Sequence, residues 1–446
     1  MIVMKFGGTS LANAERIKNI SDIIKSRIDK NPIVVVSAVS GITDKLVKLA
    51  KDSSTGKSFD TNFNEIINIH KDIINSLSIT QNILDEDFEK LNNSIKGVYL
   101  LREISPRSLD LISSFGEVFS SKIIVEHLKS IQIVSKQYHG GDTGIVTDSN
   151  FTNAEILEET YEKINKNLNN LNHVPIITGF IAKDREGETT TLGRGGSDYT
   201  ASIIGAALNA KEIEIWTDVD GIKTADPKIV NNAKQWDKIT FNEASEMAYF
   251  GAKVLHPKTI KPAINKLIPV RILNTRNIEN AGTLIVKEDK EECIFRTISS
   301  KNEIIIIRVC STEMLLAYGF LEKIFHILSK HKISIDLVST SEVTVSMTLD
   351  NINNSSKNLE LAISELKEFG KIEVLKERSL ICVVGKDIKD KPEVLGRIFE
   401  VCKNSKINIE LISQGVSPLS ISFVVKQEDS PIIIKELHKE LFEKND

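Results

Sequence analysis

Four segments of this sequence carry residue types that can manage a negatively charged group. The first is Lys5-Phe-Gly-Gly-Thr-Ser10, where Gly7 and Gly8 free backbone N–H groups to approach an anion and Lys5 adds a point charge. It is not the phosphate-loop pattern with a lysine after the glycines, because here the lysine comes first. The second is Thr191-Leu-Gly-Arg-Gly-Gly-Ser-Asp-Tyr-Thr-Ala201, in which Gly193, Gly195 and Gly196 form a turn entering a helix, a natural anion site. Arg194 offers a planar fork for a carboxylate, and Asp198 can pair with a lysine and fix its position. The third runs from Trp216 through Thr-Asp-Val-Asp-Gly-Ile-Lys-Thr-Ala-Asp to Pro227, a strand ending in an acidic loop whose Thr217 and Asp218 can hold ribose and purine atoms. The fourth, Phe250-Gly-Ala-Lys-Val-Leu-His-Pro257, closes a helical run from Phe241 and sets Lys253 where it can reach phosphate. Each segment alone also has an ordinary reading: a solvated lysine, a capped helix start, a Val-Asp-Gly turn, a surface charge beside a helix-end His256.

Residues of this kind need elements to position them. The first 290 residues or so alternate short apolar runs with amphipathic stretches. Ile2 to Gly8, Asn31 to Ala38, His173 to Phe180 and Glu212 to Asp218 read as buried strands, three of them running into glycine-bearing turns. Phe63-Asn-Glu-Ile-Ile-Asn-Ile-His-Lys-Asp-Ile-Ile74 is apolar at helical spacing. Near-continuous β-branched strands alternating with helices predict an α/β fold with a mostly parallel sheet covered on both faces. In such sheets ligands sit outside the carboxyl ends of the strands, where these motifs lie.

The last 150 residues or so behave differently and contain an internal repeat. Residues 320–339 (FLEKIFHILSKHKISIDLVS) match residues 394–413 (VLGRIFEVCKNSKINIELIS) at a fixed offset of 74, with identities such as Ile324/Ile398, Phe325/Phe399 and Leu337/Leu411. The matches follow helical and then period-two spacing, so each copy is a helix leading into a half-buried strand. Strands at Glu303 to Val309 and Ser379 to Gly385 precede the helices, and Thr344 to Leu349 adds another. Two copies are too few for a solenoid, which leaves a pair of small α+β modules near 303–350 and 379–426.

Composition narrows the function classes. At 446 residues the chain exceeds a single core, so two or three domains are expected. A formal net charge of -4 argues against a general nucleic-acid binder. The N-terminus shows no signal-peptide pattern, and the longest apolar runs, such as Ile304 to Ile307, are too short for a bilayer. Cys293, Cys310, Cys382 and Cys402 are widely spaced, as small buried hydrophobes in a reducing cytoplasm would be. A cytoplasmic protein with no membrane or nucleic-acid partner is expected, and no dedicated metal-ligand cluster is visible.

Taken in order, KFGGTS, then Ser114-Phe-Gly-Glu117, then GRGGSDYTA, WTDVDGIKTADP and FGAKVLHP resemble the aspartate kinase family, and the trailing modules resemble its ACT regulatory domains. The resemblance runs from Lys5 to the C-terminal region. It implies an amino-acid-kinase α/β/α sandwich over residues 1–290 and tandem ACT domains over 291–446. It implies transfer of the γ-phosphoryl of ATP to the β-carboxylate of L-aspartate, the first step of lysine, threonine and methionine biosynthesis. By the same resemblance Lys5 contacts the transferring group and Asp198 orients the lysines. Thr43 and Glu117 hold the substrate's polar groups, Arg194 takes a substrate carboxylate, and Ser37, Ser40 and Ser197 adjoin them. Gly7, Gly8, Thr217, Asp218, Lys253 and Val254 line the nucleotide site, with Lys223 where a tyrosine often lies and Lys228 where an arginine is common. Magnesium is expected mainly on the ATP phosphates and water.

For the C-terminal pair the resemblance implies a lysine-binding face in the first module. Its residues are Met314, Gly319, Phe320, Leu321, Ser334, Ile335, Asp336, Thr340, Ser341 and Glu342, with Asp336 taking the inhibitor's ammonium. Leu316 departs from a polar residue seen in some relatives. ACT pairs usually assemble across a two-fold, so a homodimer or homotetramer is expected. Two rival readings stand beside this one: another carboxylate kinase of the same fold, and an inactive amino-acid sensor. Lys5, Arg194, Asp198 and Lys253 together favour the enzyme, because a sensor has no use for phosphate-side groups.

Overall fold

The computed structural model describes residues 1–249, 257–289, 293–315, 318–350, 356–386, 388–414 and 417–444. Among them, residues 1–222, 236–241 and 257–289 make one compact unit, and residues 223–235, 242–249 and those from 293 onward a second.

In chain order the strands of the first unit are β1 (Ile2–Phe6), β2 (Pro32–Val36), β3 (Ser135–Tyr138), β4 (Val146–Thr147), β5 (Val174–Thr178), β6 (Ile181–Asp184), β7 (Thr189–Thr191), β8 (Ile213–Thr217), β9 (Lys238–Thr240), β10 (Val270–Asn274) and β11 (Thr283–Val286). The helices are α1 (Ala14–Lys25), α2 (Ile42–Ser54), α3 (Asp60–Leu77), α4 (Asp85–Leu101), α5 (Pro106–Ser130), α6 (Glu159–Leu168) and α7 (Gly196–Ala207), then α8 (Phe241–Tyr249), which from residue 242 belongs to the second unit, and α9 (Pro257–Asn265). Eight strands form one sheet in the order β3-β5-β2-β1-β8-β10-β11-β9, parallel at every pairing except β10 with β11. The expected mostly parallel α/β sheet is therefore what forms. Strands β2 and β5 are buried at every position, which is why their sequences run apolar rather than alternating.

Strand order explains where a site can open. β1 lies between β2 and β8, with Lys5 opposite Val35 on one side and Ile215 on the other. The chain leaves β1 in one direction to reach β2 and returns on its other side as β8. A crevice forms outside the carboxyl ends of strands at such a reversal. One wall is α5, a 25-residue helix started by the Ser105 side chain accepting from the Ser108 amide, with Pro106 in the first turn. The carboxyl ends of β1 and β8 are pinned together by Trp216, fully buried, stacked 6.1 Å from Phe6 and donating to Glu214 Oε2 at 2.9 Å.

The second unit holds β12 (Phe295–Cys310), β13 (Val338–Thr340), β14 (Thr344–Asp350), β15 (Lys371–Gly385), β16 (Leu411–Gln414) and β17 (Ser420–Lys426). Its further helices are α10 (Phe320–Lys330), α11 (Ser356–Leu366), α12 (Pro392–Asn404) and α13 (Ser430–His438). The six strands form one antiparallel sheet in the order β13-β14-β12-β15-β17-β16, so the two repeats share a sheet, joined along β12 and β15. Each repeat keeps its own core, with Ile324 in one and its counterpart Ile398 in the other. The core of the second repeat also takes Ala225 and Val230, and buried Thr224 Oγ1 lies 2.9 Å from His438 Nε2. The stretch 223–235 is thereby tied into this unit.

One element differs from the sequence expectation. The strand expected after α10 forms only at Val338–Thr340, and all three residues are exposed. An edge strand has a partner on one side only, and Thr348 diverts the preceding residues: its Oγ1 accepts from the Leu337 amide at 2.9 Å, and its carbonyl from the Asp336 amide at 2.9 Å. No helix among the described residues is long and apolar enough to cross a membrane.

Candidate active site

Strand β1 is buried at every position except Lys5, its one half-buried residue. The Lys5 ammonium lies 2.6 Å from Asp198 Oδ1, with the two side chains 12% and 17% exposed. The contact brings the charges together without the alignment of a hydrogen bond. Asp198 is placed by the glycine turn that opens α7. Gly193 and Gly195 adopt φ of 73° and 72°, the left-handed region that glycine enters without strain, and Gly195 caps the helix. The turn closes with Gly196 N donating to the Gly193 carbonyl at 3.0 Å. The first-turn amides of α7 then face outward from the helix start, and with the helix dipole they favour an anion.

These residues line a cavity of about 610 Å³. Of the expected residues, Lys5, Gly8, Ser37, Ser40, Thr43, Glu117, Arg194, Ser197 and Asp198 all border it. A second helix start contributes to it, since Gly41 (φ 76°) caps α2 and Thr43 lies in its first turn. Gly8 has a separate steric reason: a Cβ there would stand 2.8 Å from the Ala38 carbonyl oxygen, where the turn after β1 crosses the loop after β2. Gly8→Ala is expected to cost about 1–3 kcal/mol, as overpacking against backbone does. Thermal unfolding of the variant beside wild type checks it, and an unchanged transition would show that the loop gives way freely.

Helix α5 supplies the buried polar wall. Glu117 is 3% exposed; its Oε1 accepts from the Ala38 amide at 3.0 Å, while Oε2 has no hydrogen-bond partner among the described residues. Burial pushes its carboxyl up to about 8, against the lowering effect of the backbone hydrogen bonds. Three residues further on, Ser120 Oγ donates to the Ser37 carbonyl at 2.7 Å, so α5 grips the loop after β2 at two points. One turn and more before Glu117, Asp110 accepts from the Thr152 amide, the Thr191 amide and Thr191 Oγ1 at 2.9, 3.0 and 2.7 Å. Burial raises the Asp110 carboxyl too, partly offset by those bonds.

Asp110, Ser113, Thr9 and Phe180 border the cavity and were not singled out from the sequence. A signal did exist for two of them. Asp110, Ser113 and Glu117 recur at helical spacing inside a helix buried almost throughout, and a polar stripe there needs a reason.

Thr217, Asp218 and Gly7 stand at neighbouring strand ends but are not part of that lining. Gly7 N donates to the Trp216 carbonyl at 3.3 Å, and the Thr217 carbonyl accepts from both the amide and the hydroxyl of Thr275, at 2.9 and 3.1 Å. The Thr217 hydroxyl lies 3.3 Å from Asp218 Oδ1. Lys223 and Lys228 lie in the second unit: Lys223 bridges to Gln235 and its carbonyl accepts from Thr297 Oγ1 at 2.9 Å, while Lys228 is exposed. Lys253, Val254 and His256 lie outside the described residues, as does Leu316.

The expected lysine-binding residues all lie in the first repeat. Met314 ends a short turn, and Gly319 (φ 78°) caps α10, whose first residues are buried Phe320 and part-exposed Leu321. Ser334, Ile335 and Asp336 follow α10, and Thr340, Ser341 and Glu342 are exposed at the turn into β14. Asp336 already holds an ion partner, with its Oδ2 2.8 Å from Lys301 Nζ. A second cavity, of about 500 Å³, is bordered by residues 310–313, 343–344 and 367–370 and by none of the expected effector residues.

Among the described residues no group of three or more His, Cys, Asp or Glu side chains is arranged to hold a metal ion. Asp198 is engaged by Lys5, which suits a cation that arrives already bound to phosphates.

The amino acid kinase family model matches residues 1–274, and an ACT domain model matches residues 381–441. The chain is 38% identical over 459 residues to aspartokinase 1, chloroplastic, of Arabidopsis thaliana, spanning 100% of this chain and 80% of that one. It is 36% identical over 455 residues to the lysine-sensitive aspartokinase 3 of Escherichia coli K12, covering 99% of each. The crystal structure of E. coli aspartokinase III in complex with aspartate and ADP matches with a TM-score of 0.84 at 34% identity, over 99% of this chain and 100% of that one.

Proposed function

This chain belongs to the aspartokinases of the amino acid kinase family, and from that premise we propose how its own residues carry out phosphorylation of L-aspartate by ATP. The observation that carries the reading is one cavity bordered by the Lys5–Asp198 pair, Arg194 and the unpartnered Glu117 oxygen. Glu117, once ionised, holds the substrate's α-ammonium, with Thr43, Ser37, Ser40 and Ser197 supplying hydrogen bonds around it. Arg194 holds the substrate carboxylate that does not react.

A β-carboxylate is already ionised at neutral pH, so no general base is needed. One of its oxygens forms the new bond to the γ-phosphorus as the bond to the bridging oxygen breaks, and ADP leaves with that electron pair. Repulsion between two anions is the main obstacle. Lys5, held by Asp198, and the amides at the start of α7 answer it with fixed positive charge that needs no reorganisation. Gly7, Gly8, Thr217, Asp218, Lys223, Lys228, Lys253 and Val254 serve the nucleotide. Magnesium, carried on the ATP phosphates, supplies further charge neutralisation there.

Residues 1–290 act as the catalytic domain and 291–446 as a tandem ACT pair, with the stretch 223–235 packed into the latter's core. The lysine sensitivity named for the E. coli relative extends to this chain through the first ACT module, at Met314, Gly319 to Leu321, Ser334 to Asp336 and Thr340 to Glu342. An even-numbered homo-oligomer in the cytoplasm, built through the ACT pair, completes the reading.

The test is ATP consumption with L-aspartate in hydroxylamine, which traps an acyl phosphate as a hydroxamate. Hydroxamate that forms with L-aspartate and falls away as L-lysine is added is the expected result. Folded protein that yields none would overturn the proposal, and hydroxamate indifferent to lysine would remove the effector assignment alone.

A further inference from the structure

Lys301 belongs to none of the motifs read from the sequence, yet it lies at the centre of a part-buried charge cluster with two carboxylates of the first repeat. Strand β12 pairs in register with β15 from Thr297 opposite Val384 to Lys301 opposite Leu380, slips before Ile304 meets Arg378, and slips again before Ile306 meets Leu375. Glu303, inside the first of these slips, has φ of 58°. Irregularities of this kind bend a strand and re-aim a side chain. Here the Lys301 ammonium comes to lie 2.8 Å from Asp336 Oδ2 and 3.2 Å from Asp350 Oδ2. The three side chains are only 25%, 15% and 11% exposed, so water screens the cluster poorly. Asp350 ends β14 directly opposite Ile304, and Asp336 is tied to the same strand through the Thr348 carbonyl. The geometry is therefore fixed by neighbouring backbone rather than by three flexible side chains meeting in solvent.

Asp336 is the residue assigned above to the effector's ammonium. The group Lys301 presents to it, a primary ammonium on a four-carbon stem, is the chemical group that free lysine carries. We propose that Lys301 is an on-chain competitor at the effector site, so that lysine must displace its ammonium from Asp336 before the first repeat responds. The proposal rests on the reading of that repeat as a lysine-binding module and deepens it. Asp350 makes the exchange feasible. Lys301 touches both carboxylates at once, so on leaving Asp336 it retains a charged partner instead of being stranded in a part-buried site. A competitor fixed to the chain cannot diffuse away, so it sets the lysine concentration at which the site fills.

Lysine binding to the full-length enzyme is measured by isothermal titration without substrates, alongside inhibition of hydroxamate formation. Lys301→Met keeps the stem and removes the charge; it is expected to lower the half-saturating lysine concentration about tenfold, the scale of one hydrogen bond between charged groups. Lys301→Arg keeps the charge and is expected to stay within about twofold of wild type. Neither variant is expected to alter kcat or KM without lysine. Lysine binding by Lys301→Met that is unchanged or weaker overturns the competitor role, as does an equal shift in Lys301→Arg. Should Lys301→Met lack basal activity, Lys301→Gln is read by the same criterion. Wild-type enzyme that takes up no lysine overturns the effector reading itself and the proposal with it, a result seen before any variant is made.

Discussion

Replacing Lys5 with methionine is expected to lower kcat about a hundred- to a thousandfold, the effect of removing one fixed donor from a developing negative charge, roughly 2.7–4 kcal/mol. The KM for aspartate should move little, because in the proposed arrangement Lys5 faces the transferring phosphoryl group while Glu117 and Arg194 hold the amino acid. Methionine keeps the length of the stem, so the change reports charge more than packing. Lys5→Arg should restore little of the loss: the fork of a guanidinium does not fit where a compact ammonium stands 2.6 Å from Asp198. Asp198→Asn should also lower kcat, by a smaller factor, since the ammonium remains but loses the charge that orients it. Steady-state kinetics of the three variants decide the matter. A Lys5→Met enzyme whose KM rises while kcat holds would show that Lys5 serves ground-state binding alone.

The second large effect lies at Glu117. Its carboxyl is pushed up to about 8 by burial, and the proposed pairing with the substrate's ammonium requires the ionised form. For free enzyme, kcat/KM for aspartate is expected to climb with pH and level off above about 8. At saturating aspartate the ammonium beside Glu117 favours the carboxylate, so kcat should be much flatter over the same range. Glu117→Gln should raise the KM for aspartate about thirty- to a hundredfold, the loss of a buried charge-assisted contact worth about 2–3 kcal/mol. It should also remove the pH slope of kcat/KM. A slope that survives in Glu117→Gln belongs to another group.

The same shift has a stability consequence with a definite sign. Below pH 4.5 the group is protonated whether the chain is folded or unfolded. Between 4.5 and about 8 the folded state holds the proton that the unfolded state has released, so the contribution to stability falls as pH rises, and above about 8 it is gone. Aspartate, by pairing with the ionised form, should therefore raise the unfolding temperature more at pH 9 than at pH 6.

Much of the catalytic unit was legible because its signals are local. Ile2 to Phe6, Pro32 to Val36 and Ile213 to Thr217 are apolar runs that can only be strands covered on both faces, and the glycines after them or before α7 mark turns. Lys5, Arg194 and Asp198 stand beside those turns, so the kind of chemistry could be read without a structure. Resemblance to a known family then joined the motifs, and the 74-residue offset exposed the paired modules.

What the sequence by itself determined, then, is the inventory: buried strands, glycine turns, an anion-handling set of side chains and a repeat. Which of these meet was decided by tertiary structure. Lys5 and Asp198 are 193 residues apart in the chain, and their pairing follows from β1 lying between β2 and β8, an order no spacing encodes. What the polar stripe of α5 meets was decided by packing: Glu117 accepts from the loop after β2 and Asp110 from the end of β7. Thr217 and Lys223 read as one motif, yet the chain divides after Ile222, because Ala225 and Val230 find their apolar partners in the second repeat. Lys301 carried no signal at all; a slip in strand pairing, settled by neighbours far along the chain, aims it at Asp336. Local propensity is a property of a few consecutive residues, whereas a site's geometry is set by which apolar faces bury one another, and that choice belongs to the whole chain.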